Sequence, residues 1–89
     1  MALTVVLNGA PNNMASCAPV IDYKIELHPD RLRIKFRGGW DDLKLAPDGS
    51  FSTIYNTPGH RLDVRGNART RTMRVENLAG WGCHWLGSF

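Results

Sequence analysis

The chain has 89 residues, the size of one domain, and a chain this short buries only roughly 60–65% of its unfolded surface, so its core is small. It is 43% apolar and 21% charged, a globular composition with no low-complexity tract, and 9 Gly and 5 Pro recur between short runs of Val, Ile, Leu, Tyr and Phe. A formal charge of +3 is too small to argue by itself for nucleic acid, anionic lipid or glycan, and no apolar run approaches the roughly 20 residues of a membrane-spanning helix.

Ala2–Leu7 is too short for the apolar stretch of a signal peptide, and polar Asn8, Asn12 and Asn13 follow it. Leu3–Leu7 is expected as an opening strand and Gly9–Asn13 as a loop. Met14-Ala15-Ser16-Cys17 has the outline of a lipoprotein cleavage box, but no proper apolar stretch precedes it.

The first strong strand follows. Ile21, Tyr23, Ile25 and Leu27 alternate with Asp22, Lys24, Glu26 and His28. His28-Pro29-Asp30-Arg31 makes a turn, and Leu32, Ile34 and Phe36 then alternate with Arg31, Arg33, Lys35 and Arg37. Setting Leu27 opposite Leu32 puts Ile25 across from Ile34, Tyr23 from Phe36, Glu26 from Arg33 and Asp22 from Arg37. Lys24 and Lys35 are then the one like-charge pair. A slip of one residue would set apolar against charged, so the register is well specified.

Gly38-Gly39 reads as a sheet bend or bulge. Leu43 and Leu45 resume the alternation, and Ala46-Pro47-Asp48-Gly49-Ser50 reads as a turn with Gly49 left-handed, which would pair Leu45 with Phe51 and Leu43 with Thr53. Asn56-Thr57-Pro58-Gly59 turns the chain again, and Leu62 and Val64 return with Arg61, Asp63 and Arg65 on the other face. A turn beginning at Gly66-Asn67 would pair Leu62 with Met73 and His60 with Val75. The last strand is expected over Gly82–Ser88. About seven or eight short strands and no helical stripe predict an all-β fold, a small antiparallel meander barrel, with a two-sheet β-sandwich as the alternative. The whole of 1–89 reads as a single domain, with 1–16 its less defined part.

Cys17 precedes the first strong strand and Cys83 falls in the last. A meander that closes on itself makes its first and last strands neighbours, so a Cys17–Cys83 bridge would staple the closure. The other reading is two buried free thiols in a cytosolic protein. The bridge fits a periplasmic or extracellular protein whose signal lies outside this chain, whereas free thiols fit a cytoplasmic one.

The stretch Cys17–Phe89 resembles small exported domains common in bacteria, whose function is largely uncharacterised. The resemblance is carried by Cys17, by Tyr23-Lys24-Ile25, by Leu45-Ala46-Pro47-Asp48-Gly49-Ser50-Phe51 and by the closing Gly82-Cys83-His84-Trp85. It implies a β-rich fold with a disulfide between the terminal cysteines, and it carries no catalytic residue.

Four kinds of chemistry are open to these residues. Arg31, Arg33, Lys35 and Arg37 line one strand face, with Glu26 and Asp22 across from Arg33 and Arg37. Arg61, Arg65 and Arg74, with Arg69 and Arg71 nearby, form a second cluster with only Asp63 among it, and the arginine fork suits phosphate, sulfate or carboxylate. Trp40 and Trp81 adjoin glycines, and Trp85 stands two residues before one. Trp40 beside Asp41 and Asp42 could stack on a sugar, while Trp85 is expected in the core near Cys83. His28, His60 and His84 lack the spacing of a metal site, and H-E-x-x-H and C-x-x-C are absent. Asp41 and Asp42 are adjacent, so a strand points them to opposite faces; Ser50, Ser52 and Ser88 lack a nucleophile elbow, and no glycine loop cradles phosphate.

The sequence therefore reads as a non-enzymatic, exported β-barrel domain, a binding or structural module. No cofactor and no metal is assigned. The binding residues expected are Trp40, Arg61, Arg65 and Arg74, with a protein or an anionic polymer as partner. The two alternatives are a polyanion or nucleic-acid module using the arginine face and a glycan binder using exposed Trp.

Overall fold

The computed structural model describes residues 1–79 and 82–89, so Trp81 lies outside the described residues. The described residues form eight strands: β1 (Ala2–Gly9), β2 (Val20–Leu27), β3 (Arg31–Phe36), β4 (Gly39–Lys44), β5 (Ser50–Thr57), β6 (His60–Asn67), β7 (Thr72–Asn77) and β8 (His84–Ser88). All join one antiparallel sheet in the order β4-β3-β2-β1-β8-β7-β6-β5, curled into a nearly closed barrel. The order is two four-stranded meanders, β1–β4 and β5–β8, joined by the ladder between β1 and β8. Among the described residues no helix is long and apolar enough to cross a membrane.

Period 2 sends one side of each strand inward. Val5, Leu7, Ile25, Leu32, Ile34, Val64 and Val75 are completely buried. Size is matched across the strands as well as along them. Phe51 faces Gly66, Gly66 faces Met73, Met73 faces Gly87 and Gly87 faces Leu7, so large and small side chains alternate around the wall. A Cβ on Gly66 would run into the Phe51 ring and the Thr72 carbonyl.

The β2–β3 register follows the alternation: Leu27 faces Leu32, Ile25 faces Ile34, and Glu26 faces Arg33. The ladder ends at Ile25–Ile34, just short of the Lys24–Lys35 position where like charges would meet. Tyr23 and Phe36 are therefore not a ladder pair, although their rings meet edge to face at 5.7 Å.

Other expectations are corrected. Gly38-Gly39 is not a bend within a strand: Arg37-Gly38 is the two-residue turn of a hairpin in which Phe36 pairs with Gly39. Gly49 does turn left-handed (φ 88°), but Leu43–Thr53 and Leu45–Phe51 do not pair, because β4 and β5 are the two edges of the sheet. Leu62 pairs with Asn77 rather than Met73, and Val75 with Val64 rather than His60. The cause is that β6 runs on through Gly66 and Asn67. Gly66 lies under Phe51, and Asn67 Oδ1 accepts the N–H groups of Arg69 (2.8 Å) and Thr70 (3.2 Å) to build the turn one step later. The shift is even, so every side chain keeps its predicted face.

Cys17 and Cys83 form a disulfide, with Cα atoms 5.8 Å apart. Cys83 lies just before β8 rather than in it, so the bridge joins the β1–β2 loop to the β7–β8 connection.

Candidate functional site

The two ends of the barrel differ. The end carrying the β2–β3, β4–β5 and β6–β7 turns is packed by Leu32, Leu43, Phe51 and Met73, all buried, and its turns enclose a smaller hollow of about 600 Å³. The opposite end is open. A cavity of about 740 Å³ there is lined inside by Ile21, Tyr23, Phe36, Tyr55, Leu62, Asn77, Trp85 and the Cys17–Cys83 bridge, with Asp22, Lys35, Arg37 and His60 at its lip.

Each wall of this mouth has a local cause. Tyr55 comes from the inward phase of β5 and stacks on Phe36 at 4.2 Å between centroids with planes 12° apart. Its hydroxyl accepts the Gly38 N–H at 3.2 Å. These contacts tip the β3–β4 hairpin toward β5 and span the seam that lacks a ladder. On the other wall, Trp85 is buried and its indole N–H donates to the Ala18 carbonyl at 2.7 Å. Asn13 exchanges two bonds with the His84 backbone, donating to its carbonyl at 2.7 Å and accepting its N–H at 3.1 Å. The β1–β2 loop is thereby fixed as a second wall beside the disulfide.

The mouth perturbs one of its own phenols. Burial, then the Asp22 carboxylate, then the Tyr55 phenol push Tyr23 above the usual phenol range. Tyr23 thus stays a neutral hydroxyl at the edge of an aromatic surface, able to donate or accept a hydrogen bond.

The residues singled out from the sequence lie elsewhere. Arg61, Arg65 and Arg74 stand on the outer face of β6 and β7. Arg65 faces Arg74 across the ladder and Asp63 faces Glu76. The repulsion is relieved along each strand: Arg65 bonds Asp63 at 3.0 Å, which holds its guanidinium above its ordinary value, and Arg74 bonds Glu76 at 3.3 Å. That quartet sums to zero charge. Among the described residues Arg61 has no ion pair.

Trp40 lies on the outer face of β4, 37% exposed, with the Arg33 guanidinium 5.2 Å from its ring centre. Arg33 also bonds Asp42 at 2.8 Å and Glu26 at 3.2 Å, so one face of the indole is already covered by a paired cation. The hydrogen bond from His28, then the Arg33 guanidinium, hold Glu26 below the usual carboxylate range. The structure brings Arg61, Arg65 and Arg74 to the outer face of β6 and β7 and places Trp40 on the outer face of β4. His28 sits beside Glu26 at the β2–β3 turn, His60 at the lip and His84 on β8.

Sequence reading passed over Tyr55, Leu62 and Asn77 as site residues and used Tyr23 and Phe36 only to fix a register. The available signal was a tyrosine in the inward phase of two strands. A buried ring with a polar tip belongs where an apolar interior meets water. Comparison with protein-family models, with curated proteins and with solved structures returns no match, so the geometry of this mouth carries the functional reading.

Proposed function

We propose that the chain is a non-enzymatic, exported β-barrel binding domain that takes an apolar or aromatic group of its partner into the open end of the barrel. The observation that carries this reading is the cavity of about 740 Å³ lined by Ile21, Tyr23, Phe36, Tyr55, Leu62 and Trp85. Ligand pockets of roughly 300–1,000 Å³ with mostly apolar walls and a few polar groups are of this kind, and a barrel of about eight strands has room for one small ligand. Burying an apolar group there gains roughly 25 cal/mol per Å² removed from water, while the phenols and lip charges orient it. The disulfide supports an oxidising, exported location, because such bonds persist there and are rare in the cytosol.

An environment-sensitive aromatic anion, 1-anilinonaphthalene-8-sulfonate, tests the reading. The folded domain should enhance its fluorescence with one-to-one stoichiometry. Leu62→Trp, which fills the mouth from β6, should weaken it by at least about tenfold while thermal unfolding stays cooperative. Equal binding by the variant would place the probe elsewhere and remove the reading.

A further inference from the structure

The wall of the mouth between β2 and β3 has a gap in its backbone pairing. β2 registers with β1 along Val20–Glu26, but with β3 only over Ile25–Leu27. Val20 to Lys24 are thus paired on one side alone. Leu27 N–H donates to Met1 O, and Pro19 O accepts Gly9 N–H, so odd-numbered positions of this run turn their backbone groups toward β1. Strand alternation then turns those of Val20 and Asp22 toward the side that β3 has left. Such an edge is a template for a further strand, and natural sheets usually cover it.

Two features coincide with the gap. Full pairing would set Lys24 against Lys35. Stacking of Phe36 on Tyr55, with the Gly38–Tyr55 bond, draws the tip of the β3–β4 hairpin the other way. Behind the gap lie the Tyr23 and Phe36 rings of the mouth. In front of it, on the outer face, stand Lys24, Lys35 and Arg37 against Asp22.

We infer that the mouth receives an extended polypeptide segment, which adds as a strand along Val20–Lys24 of β2, turns apolar side chains into the cavity and sets acidic side chains outward beside Lys24, Lys35 and Arg37. The inference rests on the mouth being the binding seat. Main-chain hydrogen bonds supply affinity, and alternate side chains supply specificity, as in other strand-addition complexes. The outward carboxylates stand between Lys24 and Lys35, which would oppose each other if the native ladder ran on.

A fluorescein-labelled synthetic peptide alternating glutamate with leucine serves as probe, read by anisotropy on the intact oxidised domain. It should bind and displace anilinonaphthalene sulfonate. The same peptide N-methylated at alternate backbone amides, on the edge meant for β2, should bind at least about tenfold more weakly. Lys24→Glu combined with Lys35→Glu, at exposed outward positions, should weaken the glutamate peptide and strengthen one in which lysine replaces glutamate. Indifference to N-methylation overturns the strand addition, and indifference to the charge reversal overturns the acidic assignment. Probe binding without peptide binding overturns the inference and leaves the mouth reading standing. Failure of the probe itself removes both.

Discussion

A phenol at the lip of an apolar cavity must keep its hydroxyl either wet or bonded, and the two tyrosines of the mouth divide these solutions. Tyr55 accepts the Gly38 N–H. Tyr23 stays protonated, with its pKa raised by burial, by Asp22 and by Tyr55. A folded-state pKa above the unfolded one gives a contribution that is complete below the ordinary phenol value of 10.0 and is lost as pH rises through the folded value. Tyr23→Phe should therefore remove a phenol that ionises above the ordinary range from an ultraviolet absorbance titration and flatten the alkaline loss of stability. An unchanged titration curve would refute the assignment. Gly66 makes a steric case at the same scale. Gly66→Ala drives a methyl into the Phe51 ring and the Thr72 carbonyl, and urea denaturation should show a loss of about 1–3 kcal/mol. Period 2 alone turned Tyr55 inward, but which end of the barrel it reaches depends on closure, and its ring partner, Phe36, belongs to a hairpin across the seam. That is why the site was hidden while the core residues were plain.

Hairpins are right or wrong by their turns. His28–Arg31 closes as read, with His28 N–H donating to the Arg31 carbonyl at 2.9 Å, and clean alternation on both sides fixed the register. At β6–β7 the dipeptide Gly66-Asn67 resembles a turn, yet both residues belong to the strand. Glycine is there for its size, and asparagine uses its side chain to build the turn beyond. Asn67 Nδ2 also donates to the Asp48 carbonyl at 3.2 Å, and Arg69 Nη2 donates to the Pro47 carbonyl at 2.7 Å, tying this turn to the β4–β5 turn. Asn67→Ala leaves the strand intact but strips the turn of its acceptor. Urea denaturation should show a loss of about 1–2 kcal/mol, with exchange of the Arg69 and Thr70 amides rising first. Uniform protection across the variant would show that the turn does not depend on this side chain. A glycine's two uses, freedom and smallness, look alike in one sequence, so this register was not legible there, although the shift by an even number kept every face correct.

At the scale of the molecule, two meanders of four strands meet along two seams that are held differently. At the first, β1 and β8 pair through a regular ladder, and the Cys17–Cys83 bond ties the loops above it. At the second, β4 and β5 have no ladder and are spanned at the mouth by the Phe36–Tyr55 stack. The need for the ends of a closing meander to meet made the first seam legible from the cysteines. The open end was not legible, because it lies where the β2–β3 ladder stops short and an aromatic stack joins the β3–β4 hairpin to β5 across the seam. The disulfide links the two meanders across 66 residues of sequence, so its loss releases a long loop in the unfolded chain. In the chain-entropy model this costs about 4 kcal/mol, a large share of the stability of so small a domain. Cys17→Ala with Cys83→Ala should lower the urea midpoint and steepen the slope, since the unfolded chain without its cross-link exposes more surface. Because the bridge also forms a wall of the mouth, the variant held below its midpoint should bind anilinonaphthalene sulfonate more weakly than the oxidised domain does. Equal affinity in the two proteins would mean that the bridge stabilises the barrel without shaping its open end.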